Sequence, residues 1–198
     1  MFMVMEINMK KYKVKIKGVT PYMQKRMDDA ELEEWEKKRG KIIERKDISD
    51  SDYKRALFHS HIDDDGNHYV PSEQLEGSMI NAGAFMKAKV GNSRKSMKNI
   101  VAAMFSVYPI NIPILEDWAI DKRSGVNRNI RGRVILIRPK WKEWKLDFEI
   151  HVDNDTITDE TVKEILIYAG QYVGIGAFRP SCNGKFGRFE VLEFEVIE

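Results

Sequence analysis

Two stretches of strict alternation constrain this chain most. In 11–18 (KYKVKIKG), Tyr12, Val14 and Ile16 fall on one side of an extended backbone and Lys11, Lys13, Lys15 and Lys17 on the other. Further on, Trp144, Leu146, Phe148, Ile150 and Val152 alternate with polar residues in the same way. Strands of this kind have one wet face and one that must be covered, so the chain needs a sheet backed by helices on one side. Amphipathic helices are predicted for that role. Pro71 and Ser72 open one whose face carries Leu75, Met79, Ala82, Gly83 and Met86. Ser93 is the expected N-cap of a second, with Met97, Ile100, Val101, Met104 and Phe105 as its core stripe. Thr158 caps a third, with Val162, Ile165, Leu166 and Ala169 inward and Asp159 and Glu160 at its positive end.

The remaining strands complete the pattern. Val107 to Leu115 reads as a strand that Pro109 and Pro113 confine to an edge. Phe189 to Ile197 is the last strand, and its alternation slips between Val191 and Leu192, the mark of a bulge. Stripped of insertions the order is β–α–β–β–α–β, an α+β fold on the ferredoxin-like or RRM-like plan. Residues 1–198 are read as one domain carrying two insertions. Residues 20–70, after the first strand, form a charged segment with a short helix near 30–39 and a hairpin turning at Asp65-Gly66. Residues 116–143, between the second and third strands, form a basic hairpin.

Charge enters through its distribution. The chain has 33 basic and 31 acidic residues, so its bulk charge declares no partner. Yet Ala119 to Lys142 carries eight cations (Lys122, Arg123, Arg128, Arg131, Arg133, Arg138, Lys140 and Lys142) against the single acid Asp121. Trp118, Trp141 and Trp144 flank them, and cations interleaved with aromatics suit a groove that tracks a phosphate backbone beside stacked bases. The run Gly174 to Phe189, GIGAFRPSCNGKFGRF, has four glycines, no acid, and the cations Arg179, Lys185 and Arg188. Glycine turns expose backbone N–H groups and arginines add charge-assisted donors, so this loop is a second candidate for phosphate oxygens, with Gly187 where close approach would matter. The alternative is that the glycines merely turn a helix back into the sheet.

Other chemistry finds little footing. Cys182 is the only cysteine, which excludes an intramolecular disulfide and a multi-cysteine zinc site and fits a reducing, cytoplasmic setting. His59-x-His61-x-Asp63 with His68 has metal-ligand spacing, but is better read as exposed hairpin residues. There is no P-loop, nucleophile elbow or HExxH motif, so no catalytic residue, cofactor or metal is expected. No apolar run approaches membrane length, and MFMVMEINMKK lacks a secretory h-region, so neither a membrane nor a leader is expected.

Two segments resemble the CRISPR RAMP superfamily. Tyr69 to Ser78 (YVPSEQLEGS) is similar to the hydrophobic–Pro–Gly–Ser–Ser–hydrophobic–Lys–Gly segment that opens that family's first core helix, with Glu76 at the lysine place. Gly184-Lys185-Phe186-Gly187-Arg188 is similar to its terminal Gly-aromatic-Gly-Arg element, and the basic insertion stands where the family has a thumb hairpin. The pattern from TPYMQKR through FRPS to GRF also resembles short phage and prophage proteins. The resemblance implies a non-catalytic binder of single-stranded nucleic acid, RNA or ssDNA, of phage, mobile-element or CRISPR-related origin. It further implies assembly side by side along the strand as a homo-oligomer or filament. Two alternatives stand beside it. One is a metal-dependent or acid–base endoribonuclease of the same fold, for which the family's early-loop acid points to Asp28. The other is a module that binds a host protein through the acidic segment 28–52.

Overall fold

The structure, a computed structural model, describes residues 9–26, 50–90, 93–127, 132–153 and 157–197. The elements run β1 (Lys10–Gly18), β2 (Tyr22–Met23), α1 (Asp50–Phe58), β3 (Tyr69–Pro71), α2 (Ser72–Ala82), β4 (Lys87–Val90), β5 (Ser93–Ser96) and α3 (Lys98–Met104). They continue with β6 (Phe105–Tyr108), β7 (Asn111–Pro113), β8 (Trp118–Asn127), β9 (Gly132–Trp141), β10 (Lys145–Val152), α4 (Asp159–Tyr168) and β11 (Phe189–Val196). This is a mixed α+β arrangement with antiparallel sheets.

The alternating stretches become neighbours. β1 and β10 pair in the middle of a four-stranded antiparallel sheet of order β11–β1–β10–β6, with Val14 opposite Phe148 and Ile16 opposite Leu146. Tyr12, Val14, Ile16, Leu146, Phe148 and Ile150 are all buried under α2, α3 and α4, whose Leu75, Met79, Val101, Val162 and Ile165 complete the core. Each such side chain contributes about 1.5–3 kcal/mol of transfer free energy. α4 starts at Thr158, whose hydroxyl accepts the Thr161 N–H at 3.3 Å. Asp159 in its first turn accepts from Lys10 Nζ at 3.0 Å and Tyr12 Oη at 2.9 Å. The expected bulge is present: Lys15 pairs with Glu193 and Ile16 with Val191, which leaves Leu192 without a partner across the ladder. Glu76 accepts the Val107 N–H at 2.9 Å, which gives it a role in the fold.

Several expectations are corrected. The helix predicted from Ser93 begins at Lys98, and Ser93 instead starts the second arm of the β4–β5 hairpin. Gly91-Asn92 is a two-residue turn signal that outweighs the capping preference of one serine. The helix opened at Ser72 ends at Ala82, short of Met86. The single strand expected over Val107 to Leu115 is two: β6 joins β10 at the sheet edge, and β7 pairs with β3. The segment before Asp65-Gly66 is the end of α1, and the turn closes through one bridge, Ile62 with His68, rather than a ladder. There Asp63 Oδ1 accepts the N–H groups of Asp65 and Asn67 at 3.1 and 2.7 Å, donors that a longer ladder would use. His59, His61 and Asp63 therefore do not share a strand face. The helix near 30–39, and Asp28, lie outside the described residues. Among the described residues no helix is long and apolar enough to cross a membrane, and no three His, Cys, Asp or Glu side chains gather as a metal-holding group.

Candidate nucleic-acid interface

β8 and β9 pair from Trp118–Trp141 at the base to Asn127–Gly132. Together with β2 they make a second, three-stranded sheet. Alternation divides the hairpin into two faces. Trp118, Ile120, Lys122, Ile135 and Ile137 lie on one face, Asp121, Arg123, Leu136, Arg138 and Lys140 on the other.

The first face is covered by α1. Tyr53 stacks on Trp118 with centroids 5.5 Å apart, and Lys122 Nζ lies 2.9 Å from Asp52 Oδ2, with Asp52 buried. Lys122 is thus tied to the end of the acidic segment. Arg133 falls on this face by register and is exposed; Arg128 and Arg131 lie outside the described residues. Trp141 and Trp144 are not stacking platforms for bases. Trp141 and Trp144 are fully buried against Tyr22, and Trp144 Nε1 donates to the Thr20 carbonyl at 2.8 Å. Large apolar rings at the foot of a hairpin are worth more as core than as bait for a ligand.

The second face meets the glycine loop. Arg138 lies over the Phe178 ring at 4.8 Å, and Arg123 lies over Phe186 at 4.8 Å and Phe178 at 5.5 Å. Such contacts contribute roughly 0.5–1 kcal/mol when exposed and about 2 when desolvated. Asp121 accepts hydrogen bonds from Arg123 and from Lys140 Nζ. Burial alone raises the Asp121 carboxyl, but those two cations outweigh it and hold the group below its ordinary range. One carboxylate thus serves three cations: Arg123, Arg138 and Lys140.

The loop itself is largely closed on itself. The N–H of Gly187 donates to the Pro21 carbonyl at 2.8 Å, that of Ile175 to Gly187 at 2.9 Å, that of Ala177 to Met23 at 2.8 Å and that of Gly184 to Arg179 at 3.0 Å. Those donors face inward, so the expected cradle of backbone N–H groups is not what the loop presents. Its glycines are required by packing: a Cβ on Gly184 would stand 1.6 Å from the Phe178 carbonyl oxygen, and one on Gly187, at φ +67°, 1.8 Å from that of Ile175. Arg179 folds back onto the loop, donating to Gly176 O and Ser181 Oγ, both at 2.9 Å. Lys185 and Arg188 are exposed. What the loop offers outward is therefore side chains, above all Phe178, Phe186, Lys185 and Arg188.

A third wall comes from the chain after β2. Gln24 is buried and clamps two strands of loop, donating to Tyr69 O at 2.7 Å and accepting the His61 N–H at 2.8 Å. This presents Lys25 and Arg26 next to His59, whose Nδ1 lies 3.1 Å from Arg26 O. Burial and the Arg138 charge push the Lys25 ammonium down. Burial, then the charges of Arg138 and Lys25, push His59 down against the opposing effect of its backbone partner. Burial and the neighbouring Arg123 charge likewise lower Arg138. Lys25, Arg26 and His59 were not among the expected site residues. Their only sequence signal is the Gln-Lys-Arg run directly after a short strand, and nothing local says that it meets Arg138.

No protein-family model matches this chain, and no curated protein matches it in sequence. In structure the chain is similar to a chain from the cryo-EM structure of the Type III-B Cmr-beta bound to cognate target RNA, at 15% identity and a TM-score of 0.47. The match covers 96% of this chain and 61% of that one, so this protein spans about three fifths of that neighbour's length.

Proposed function

We propose that this protein is a non-catalytic binder of single-stranded nucleic acid built on a RAMP-like core. The observation that carries the proposal is the meeting of Arg123 and Arg138 with Phe178 and Phe186. It joins the basic hairpin and the glycine loop, distant in sequence, with Arg138 buried at the junction and Arg123, Lys25, Lys140 and Lys185 around it, and among the described residues Asp121 is the carboxylate that faces these cations. Cations that depress one another are relieved by an anion, and a polyanionic strand supplies phosphates at repeating intervals. Numbering the four strands of the larger sheet in chain order, their spatial order is 4-1-3-2, which supports a ferredoxin-like core. On this reading residues 20–70 and 116–143 are its two insertions, with β8–β9 in the place of a thumb. Two further points follow from the resemblance noted above: copies of the chain assemble along a strand, and its context is CRISPR-related or that of a mobile element.

The test is a titration of fluorescein-labelled RNA and DNA single strands at several salt concentrations. Affinity should fall steeply with salt, each phosphate contact contributing about 0.7 to the logarithmic slope. A flat salt response, or equal binding to a neutral polymer, overturns the proposal. A second reading, acid–base cleavage of RNA, is favoured by His59. A ring with Nδ1 against a backbone carbonyl keeps Nε2 as acceptor, and Lys25 and Arg138 stand beside it. Shortening of the labelled RNA in chelator, abolished by His59→Ala, would establish that reading; intact RNA excludes it.

A further inference from the structure

The helix α4 does not end in a regular turn. Residues Ala169–Val173 open into a π-helical turn, closed by the Gly174 N–H donating to Ala169 O at 2.7 Å. Wider turns of this kind are often found at functional sites. Here the turn brings Gln171 and Tyr172 to the surface, with Tyr172 54% exposed. Tyr172 stands in a row of rings, its centroid 5.6 Å from Tyr168 and 6.0 Å from Phe85, which is itself 64% exposed. Tyr168 packs partly against the core, whereas Tyr172 and Phe85 leave about half or more of their surface in solvent.

Beside Tyr172 lies a recess of about 270 Å³ lined by Val19, Gly170, Gln171, Tyr172, Arg188 and Phe189. Phe189 is buried and forms its apolar floor. Gly170 lets that floor come close, since a Cβ there would sit 2.2 Å from Phe189 O. The Arg188 backbone is held on both sides: its N–H donates to Thr20 Oγ1 at 3.0 Å, and its carbonyl accepts the Val19 N–H at 2.8 Å. Its side chain is exposed and, among the described residues, forms no ion pair or hydrogen bond. The recess is therefore a shallow apolar slot with one aromatic wall, one amide and one guanidinium carried on a fixed backbone.

We infer that this recess holds one nucleotide, its base stacked on Tyr172, its edge read by Gln171 and its phosphate met by Arg188. The volume lies just under the roughly 300–1,000 Å³ of clefts that hold drug-sized ligands, so it takes a single planar ring system and little more. Arg188 belongs to the same loop as Phe186 and Lys185. The inference rests on the single-strand reading only for the source of the nucleotide, and a free nucleotide would satisfy the same chemistry.

The experiment is amide-resolved NMR on the full chain, titrated separately with adenosine and uridine 5′-monophosphate and with inorganic phosphate. The mononucleotides should shift the Gly170, Gln171, Tyr172 and Arg188 amides. Tyr172→Ala should weaken that binding roughly 5- to 150-fold, as expected for one lost base–aromatic stack. Because Tyr172 is largely exposed, the variant's other resonances should stay in place. No shifts at saturating mononucleotide, identical shifts from phosphate alone, or unchanged affinity in Tyr172→Ala each overturn the inference. Labelled single strands titrated in parallel separate the two claims. Strand binding without mononucleotide shifts rejects the recess alone; mononucleotide shifts without strand binding reject the single-strand reading and leave a free nucleotide as the ligand.

Discussion

The open face of the four-stranded sheet and the face where β8–β9 meets the glycine loop are both rich in cations, yet they differ in kind. On the sheet, Lys13 stands between Glu149 and Glu195, and Lys15 between Asp147 and Glu193, with Lys15 Nζ 3.6 Å from Asp147 and 3.2 Å from Glu193. Lys13 and Lys15 are each matched across the ladder by acids of both neighbouring strands, and Lys17 by Glu190 on one side. On the hairpin, among the described residues, Asp121 alone answers Arg123, Arg138 and Lys140, and Lys25 adds a further positive charge that Arg138 depresses. Counting cations in a sequence does not separate the two surfaces. What distinguishes them is whether the fold supplies each cation with its own counter-charge.

The most severe way to probe the contrast is through the loop that carries the aromatic partners. Gly187→Ala places a methyl group against the Ile175 carbonyl at a positive φ, so we expect a loss of about 2–4 kcal/mol and a melting temperature roughly 5–15 °C lower. Thermal melting checks this. A variant as stable as the parent would mean that the loop is loose, and that its rings do not fix Arg123 and Arg138.

Exchanging lysines between the two surfaces sharpens the comparison directly. Lys25→Ala, Lys140→Ala and Lys185→Ala together should lower the salt slope of strand binding by about 2 and weaken binding by more than tenfold at low salt. The matched set Lys13→Ala, Lys15→Ala and Lys17→Ala should change neither. Equal effects from both sets, read in the same titration, would erase the distinction between compensated and uncompensated charge.

The smallest expected effect is the response to pH. His59, His61 and His68 all have depressed folded values, with burial the leading cause in each. Their unfolded forms therefore take up protons first as pH falls below about 6.5, and stability should decline through that window while remaining complete above it. Asp121 contributes later, its stabilisation lost only below the ordinary carboxylate range. Strand binding should move the other way. A phosphate beside His59 favours the imidazolium, so affinity should rise modestly between pH 7 and 6, and His59→Ala should flatten that rise in a binding titration.

Local periodicity made the core legible. Tyr12, Val14 and Ile16, the Leu146–Phe148–Ile150 set, the Thr158 cap and the slip at Val191-Leu192 were readable because neighbours in the chain alone decide which way a side chain points on a strand or helix. Sequence also marked the hairpin and the glycine loop as basic, since composition is local too. Only the tertiary structure decided which partners those cations meet. Lys122 meets Asp52 and Arg179 meets its own loop, whereas Arg123 and Arg138 meet Phe178 and Phe186 with Lys25 nearby. Those partners lie far away in the chain, and their choice is made by packing α1 on one face of β8–β9 and the glycine loop on the other. The same packing buried Trp141 and Trp144 and turned the Gly187 N–H inward, because a buried donor must find an acceptor and a large ring gains most by leaving water.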